Sequence, residues 1–557
     1  MGKKIFKDPI YGYIEIEDDI VKKVIDKPSF QRLRRIIQTS YTPLYASALH
    51  NRFTHSLGVY HLGKIAIDSL RNKSKEKFEC IDNLPNIFLY ACLLHDVGHA
   101  PFSHTGEGFY LPAKHDYTEI HELLKESVNL QDFTDDIPLT DRSNPQATKA
   151  ANPHEIMSAI IGIKQFPELF KNAEEKSFFA RAIVGYHYKK NSKENGIKNC
   201  LIDLLNSKYI DVDKLDYLMR DTYMTGFDSI NIDFIRLLNS LDIIIDDTNT
   251  AHLVFEKNAI SVIENVVYAR DLEKKWIQLH PAVLYEIYLL ETSIGLLNSK
   301  VNDDNLGKKL FSYDALTENG VELNDNISIS YLCDDDIIYL LKNKYNFPVF
   351  KEFLNRNIRK HPLWKSESEY KSYFISSLNH QEQIRFSSGL KQLAGFMKTI
   401  GCETINDQVI SSLGEEIEKA EKTIENYDAL VEHQTLPDQT SLMVSIHEKK
   451  EMLYICKPLQ EFAQENQIDF NFLLLDNDLF YSAFGNDDFS KIEIIFKKNG
   501  SNPVFKLFGD IRTLDAKKID GNEFKEFYYI FYDRKENQQS FDINELVKKI
   551  KRKYIDN

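Results

Sequence analysis

The chain has 557 residues, 43% of them hydrophobic and 27% charged, an ordinary globular composition on a length that exceeds one core. Its formal net charge of -15 argues against broad electrostatic binding to nucleic acid, so an anionic ligand needs a local basic pocket. Six cysteines, at 80, 92, 200, 333, 402 and 456, form no CxxC pair, which argues against a thiolate zinc site and a disulfide framework. The start, MGKKIFKDPIYG, has no apolar h-region, and no run of about 18 apolar residues occurs anywhere. No secretory signal or membrane-spanning helix is expected, and a cytoplasmic location is the default.

In chain order, residues 1–50 combine an extended start (IYGYIEI) with a basic helix around SFQRLRRIIQ. Apolar residues in rows of three and four predict helices over 53–72 and 86–96, and 106–152 reads as a polar excursion. A helix then starts at Asn152 (N-cap), Pro153 (N1) and Glu155 (N3), the pattern of a capping box. Further helices fit 175–187, 198–223, 231–240 and 259–279, and LDIIID-DTNT-AHLVFEK reads as a β-hairpin. Beyond about residue 300, segments 334–356 and 366–400 look helical, and 412–451 is a charged helical stretch. DFNFLLL, KIEIIF, NPVFKLF and EFYYIFY look strand-like before a basic closing helix, INELVKKIKRKY. The fold class expected is mainly α: a helical core with a small β-hairpin and a smaller α+β C-terminal region. The expected division is a catalytic domain over 1–305, a helical lobe over 306–450 and an α+β lobe over 451–557.

Nine of the sixteen histidines lie in the first 154 residues. The chemistry-bearing set is His55, the pair His95-Asp96, and Asp213. First-row metals want neutral imidazole and carboxylate ligands converging from different helices. Sequence neighbours such as His95 and Asp96 share a metal only where a helix ends, and Val97-Gly98 supplies that end. His104 and Glu107 are three apart and meet on a helix or tight turn.

The stretches HNRFTHSLGVYHLG, ACLLHDVGHAPFSHTGE, NPHEIM and IDVDKLDYLMRD give the H…HD…D order of the HD superfamily. With KDPIYGYIEI and PSFQRLRRIIQ upstream, they resemble the deoxynucleoside triphosphate (dNTP) triphosphohydrolases, bacterial dGTPases and the animal sterile-alpha-motif-and-HD-domain enzymes among them. The resemblance covers roughly residues 4–305, without the sterile-alpha-motif domain. It implies His55, His95, Asp96 and Asp213 as ligands of a divalent metal (Mg, Mn, Fe, Zn or Co). It implies His104 and Glu107 as a catalytic pair, with His154, Glu155 and His99 beside them. Water attacks the α-phosphorus in that family, and triphosphate is released intact. Arg52, Lys214 and Arg270 would meet phosphate; Tyr217, Asp221 and Gln38 would meet the sugar.

Two departures stand out. Lys274 replaces an aromatic residue or histidine, and Gln278 replaces the tyrosine that helps exclude a ribose 2′-hydroxyl, which places Gln278 at the substrate. Asp26, Gln31 and Arg34 resemble a nucleotide-activator site, although Lys7 replaces its usual asparagine. Relatives assemble as tetramers or hexamers, so a homo-oligomer is expected, with dNTPs as partners and neither membrane nor nucleic acid. The biological setting would be dNTP-pool control or antiphage defence. Two other readings compete: an HD phosphodiesterase or nuclease acting on oligonucleotides or cyclic nucleotides, and a non-enzymatic dNTP sensor. For His61, His115, His121 and His187 a solvent or core role is expected.

Overall fold

A computed structural model describes residues 2–39, 44–73, 75–81, 83–111, 116–137, 151–227, 231–246, 250–302, 310–323, 327–345, 347–374, 377–402, 404–427, 438–466, 468, 473–478, 487–496, 504–512, 526–533 and 541–552. The chain forms two compact units: Met1–Gln278 with Glu286–Phe350 and Tyr481–Ala516, and Leu279–Tyr285 with Lys351–Phe480 and Lys517–Asn557. Residues 306–350 therefore group with the first unit, and 481–516 return to it. Both units are mainly helical, with small sheets.

The first unit opens with a hairpin, β1 (Lys3–Asp8) and β2 (Gly12–Glu17), in register from Lys3↔Glu17 to Asp8↔Gly12. Ile14 and Ile16 alternate inward and are fully buried, as a half-buried strand requires. The helical core holds α1 (Arg52–Lys73), α2 (Leu84–Leu94), α3 (Thr118–Val128), α4 (Pro153–Gln165), α5 (Ala173–Val184), α6 (Lys193–Leu205), α7 (Val212–Thr225) and α8 (Ile260–Glu273). Val59, Leu62, Ala66 and Leu70 on α1 and Phe88, Ala91 and Leu94 on α2 are buried, the three-and-four spacing of a core-facing stripe. Two glycines let elements close in on the site. A Cβ on Gly98 would stand 2.3 Å from the Ser158 backbone nitrogen, and one on Gly58 would stand 1.8 Å from Asp216 Oδ1.

The expected hairpin is present as β3 (Leu241–Ile245) and β4 (Ala251–Glu256), paired antiparallel. Strand Glu493–Phe496 adds to β4 in parallel, and Val504–Leu507 adds to it in turn, making a four-stranded sheet. In the second unit, strand Glu526–Tyr532 lies between His361–Pro362 and Leu473–Asp478, both antiparallel to it. Helices His380–Thr399, Asp407–Glu425, Gln439–Glu465 and Ile543–Ile550 belong to the same unit.

Four local expectations change. The 198–223 helix is two helices, α6 and α7, because Asp211 caps a new start by accepting from the Lys214 amide at 2.7 Å. The polar excursion contains α3 and a short helix, Gln131–Asp136, whose apolar residues Ile120, Leu124, Val128 and Phe133 are buried. The basic helix at SFQRLRRIIQ is one α-turn, Pro28–Gln31, followed by a 3-10 turn, Arg32–Arg35. The charged 412–451 stretch is two helices, with 428–437 outside the described residues. No helix of the described residues is long and apolar enough to cross a membrane.

Candidate active site

Four helix ends converge in the first unit. α1 begins with Arg52 and brings in His55 one turn later. α2 ends at Leu94, so His95 caps it and Asp96 enters the turn beyond, as the glycine at 98 foreshadows. The N-terminus of α4 supplies His154, and the first turn of α7 supplies Asp213.

His55 Nε2 lies 2.9 Å from Asp213 Oδ1 and 3.2 Å from His95 Nε2. The other ring nitrogens decide the tautomers. His95 Nδ1 is 2.9 Å from the Cys92 carbonyl and His55 Nδ1 is 2.7 Å from Asp216 Oδ2. A carbonyl and a carboxylate only accept, so both Nδ1 atoms donate and both Nε2 atoms of the neutral rings present lone pairs. Two imidazole lone pairs and the Asp213 carboxylate thus face one point, an arrangement that a cation satisfies. His55, His95 and Asp213 fit a metal on this ground. Burial lowers the basicity of His55, but its bonds to Asp213 and Asp216 and the charges of Asp216 and Asp96 raise its pKa to about 10, so Nε2 holds a second proton that a bound cation would displace. Asp96 flanks the group, 3.6 Å from His55 Nε2 and 3.4 Å from His95 Nε2. Burial works against its charge, yet Arg52, His95 and His99 hold its carboxyl well below the usual range.

A second group, His99, His104, Glu107 and His154, could also gather a metal by distance alone. Its hydrogen bonding favours protons instead. Glu107 faces His104 Nδ1 at 2.8 Å through Oε1 and His154 Nδ1 through Oε2. Both Nδ1 atoms must carry protons to face a carboxylate, so these atoms have no lone pair to offer. Burial pushes His154 down, but the charge and bond of Glu107 raise it to about 9; Glu107 itself is held low. His99 stacks on His154 with ring centroids 4.0 Å apart, and burial with the Arg52 charge keeps it neutral.

The loop before His104 is held tightly. Phe102 and Ser103 adopt φ of 60° and 56°, left-handed for non-glycine residues, at a cost of about 1–3 kcal/mol each. Ser103 Oγ accepts from Arg52 Nε at 2.9 Å and donates to the Ile37 carbonyl. Arg52 also donates to Asp96 Oδ2 at 2.8 Å and to the Gln38 carbonyl at 3.1 Å.

A cavity of about 340 Å³ opens on these groups. Asp96, Asp213, Arg52, His104 and His154 line one part; Tyr217, Asp221, Gln38, Gln278 and Glu273 line another. Gln38 is buried with its Oε1 unpartnered. Tyr217 and Asp221 share a face of α7, as their helical spacing predicts. Gln278 donates to Glu273 Oε1 at 2.9 Å. Burial, and then Asp221, raises the Glu273 pKa well above the usual carboxylate range.

Other expected residues lie elsewhere. Lys214 Nζ is held by Asp211 Oδ2 at 2.6 Å and the Ser207 carbonyl at 2.7 Å, and it does not line the cavity. Arg270 sits 5.1 Å from the Phe489 ring centre, also off the cavity wall. Of the three expected phosphate cations, Arg52 alone lines it among the described residues. Glu155 is a capping residue: Oε2 accepts from Asn152 N at 2.6 Å and Oε1 from Asn206 at 3.1 Å. Each oxygen thereby accepts one hydrogen bond at the start of α4, beside His154. Gln31 and Arg34 bond each other at 2.9 Å, and Arg34 lies over the Phe53 ring; Asp26 pairs with Lys4 at 3.7 Å. His61, His121 and His187 take the structural places expected of them, beside Tyr11, Tyr186 and Asp203 respectively. His115 lies outside the described residues.

Three residues of the site have no counterpart in the sequence reading. Asp216 supports His55 and accepts from Tyr11 at 2.6 Å and from Arg220 at 2.8 Å. His50 is buried 2.7 Å from Asp221, and Glu273 holds Gln278. Asp216 had a readable signal, since it follows Asp213 by three and precedes Arg220 by four.

The HD-domain family profile matches residues 52–137, a span that includes His55, His95, Asp96 and His104. The chain thus carries an HD domain, the domain of metal-dependent phosphohydrolases. Uncharacterized protein YwfO of Bacillus subtilis is 26% identical over 383 residues, 67% of this chain and 75% of the relative. Deoxynucleoside triphosphate triphosphohydrolase SAMHD1 of Danio rerio is 32% identical over 248 residues, 42% of this chain and 36% of that enzyme. The chain therefore spans little more than a third of that enzyme's length. A crystal structure of a hypothetical protein from Aquifex aeolicus superposes with a TM-score of 0.50 at 20% identity, covering 96% of this chain and 97% of that one. It shares the fold.

Proposed function

We propose that the protein hydrolyses deoxynucleoside triphosphates to deoxynucleoside and inorganic triphosphate. One observation carries the reading: Asp213 of the metal-type group, Asp96 beside it, His104 and His154, and the polar wall of Gln38, Tyr217, Asp221 and Gln278 line a single cavity. Its volume of about 340 Å³ suits one small molecule. That favours a mononucleotide over the oligonucleotide of the nuclease alternative. The intact ligand set favours catalysis over mere sensing.

A divalent metal held by His55, His95, Asp96 and Asp213 would polarise a phosphate oxygen. His104, oriented by Glu107, would deliver a proton to the departing 5′-oxygen. His154, cationic beside Glu107, would offset the Glu107 charge near the α-phosphate. Arg52 stands where a phosphate oxygen would approach Asp96. Tyr217 and Asp221, the latter oriented by His50, would hold the 3′-hydroxyl, with Gln38 beside the sugar. The acidic lining, with Asp96, Asp213 and Asp221, makes cations necessary for an anionic substrate. An oligomer, and an activating nucleotide at Asp26, Gln31 and Arg34, belong to the same reading. So does a role in dNTP-pool control or antiphage defence.

The test is a panel of the four dNTPs and four NTPs with Mg²⁺ or Mn²⁺ and product separation. Metal-dependent loss of dNTP with deoxynucleoside appearing supports the proposal. Cleavage of oligonucleotides or cyclic nucleotides with no dNTP turnover replaces it with the phosphodiesterase reading.

A further inference from the structure

The loop that carries Phe102, Ser103 and His104 is anchored from far along the chain. Asp334 opens the helix Asp334–Leu340, well outside the matched HD domain at 52–137. Its Oδ1 accepts from the Phe102 amide at 2.7 Å, and its Oδ2 accepts from the Ile37 amide at 2.8 Å. One carboxylate therefore ties together two backbone segments that reach the cavity wall, one at Gln38 and the other at 102–104.

Both tethered residues lie next to working groups. Ile37 precedes Gln38, and its carbonyl accepts from Ser103 Oγ. Phe102 begins the two-residue left-handed stretch that ends at His104. Ser103 Oγ meets Arg52, and Arg52 meets Asp96. Asp334 is thus joined to Asp96, beside the metal-type group, by successive hydrogen bonds through Ile37, Ser103 and Arg52, and to His104 by the backbone that follows Phe102. Arg32 supports the same region from within, its Nη2 donating to the His99 carbonyl; burial pushes the Asp334 carboxyl up to about 7, against which the Ile37 and Phe102 amides and the Arg32 charge favour the carboxylate. A strained backbone persists only where surroundings over-determine it, and Asp334 supplies that determination.

We propose that Asp334 is a positioning residue for the hydrolytic site, holding residues 102–104 and 37–38 in the shape that presents His104, Ser103 and Gln38 to the substrate. This rests on the reading of the cavity as the hydrolytic site. It gives the segment after residue 305 a part in catalysis. Asparagine at 334 keeps the size but offers one acceptor and turns an N–H donor toward a backbone N–H. Glutamate keeps both acceptors on a longer stem.

The experiment compares wild type, Asp334→Asn and Asp334→Glu by dNTP kinetics, metal content and hydrogen exchange with peptide resolution. In Asp334→Asn, exchange at 36–38 and 100–104 rises by about tenfold while other core peptides keep their protection. Metal content is retained, KM stays within about threefold, and kcat falls by about 10- to 100-fold, the effect of misplaced rather than missing groups. Asp334→Glu recovers part of kcat. Full kcat in Asp334→Asn overturns the proposal. So does exchange that rises throughout the unit with loss of metal, which would make Asp334 a stability residue only. If wild type turns over no dNTP, the substrate reading falls, and the exchange pattern decides Asp334 by itself: confined change supports the tether, spread change overturns it.

Discussion

His55 Nδ1 lies 2.7 Å from Asp216 Oδ2, with both residues fully buried. The bond fixes the His55 tautomer and turns Nε2 toward Asp213 and His95. A carboxylate behind a ligating histidine raises its basicity and sets its orientation. Asp216→Asn is expected to weaken metal binding by about 10- to 100-fold, the usual cost of removing such a partner. Metal titration of the apo protein measures it. Unchanged affinity would show that Asp213, His95 and Asp96 hold the metal without help from this bond.

His104 and Glu107 form a pair outside the metal-type group. His104→Ala should keep metal and nucleotide binding and lose kcat by about 10²–10⁴-fold, the range for a positioned proton donor. Single-turnover kinetics with metal analysis tests this. An unimpaired His104→Ala enzyme would move the donor role to His154.

The pair His154–Glu107 also makes stability depend on pH. The folded pKa of His154, about 9, lies above the unfolded value of 6.5. A raised histidine contributes stability that is full below pH 6.5 and is lost as pH rises through 9. With metal chelated, the stability difference between wild type and Glu107→Gln should therefore shrink from pH 7 to pH 10. Denaturant unfolding across that window checks it. A difference that stays level or grows would contradict the assignment.

Selectivity should follow Gln278. It lines the cavity and bonds Glu273, where a tyrosine would present a rigid wall. A glutamine can hydrogen-bond an added hydroxyl, so discrimination between dNTP and NTP should be about 10²-fold or less. Gln278→Tyr should sharpen it. Paired kcat/KM values decide; complete rejection of NTPs by wild type, unmoved in Gln278→Tyr, would place the 2′ guard elsewhere.

What could be read from the sequence divides by range. Periodicity located α1, α2, α4 and the β3–β4 hairpin, because each carries its own apolar stripe and end signals. It merged α6 with α7, since only the cap at Asp211 marks the break. It missed α3 inside a polar segment. The ligand-type group was legible because its residues sit in ordered motifs. Lys214 and Arg270 were expected at phosphate from the family resemblance, and their side chains turn to Asp211 and toward Phe489. Asp334, His50 and the return of strand Glu493–Phe496 to β4 were illegible for one reason. Each depends on a partner far away in the chain, and a single sequence has no local mark for such a contact.

In the proposed reaction water attacks the α-phosphorus and the bond from that phosphorus to the 5′-oxygen breaks. The direct test is hydrolysis of a dNTP in ¹⁸O-labelled water with mass analysis of both products. The account predicts inorganic triphosphate carrying one ¹⁸O atom and unlabelled deoxynucleoside, with none formed by Asp213→Ala. Monophosphate with pyrophosphate, or label in the deoxynucleoside, would contradict it.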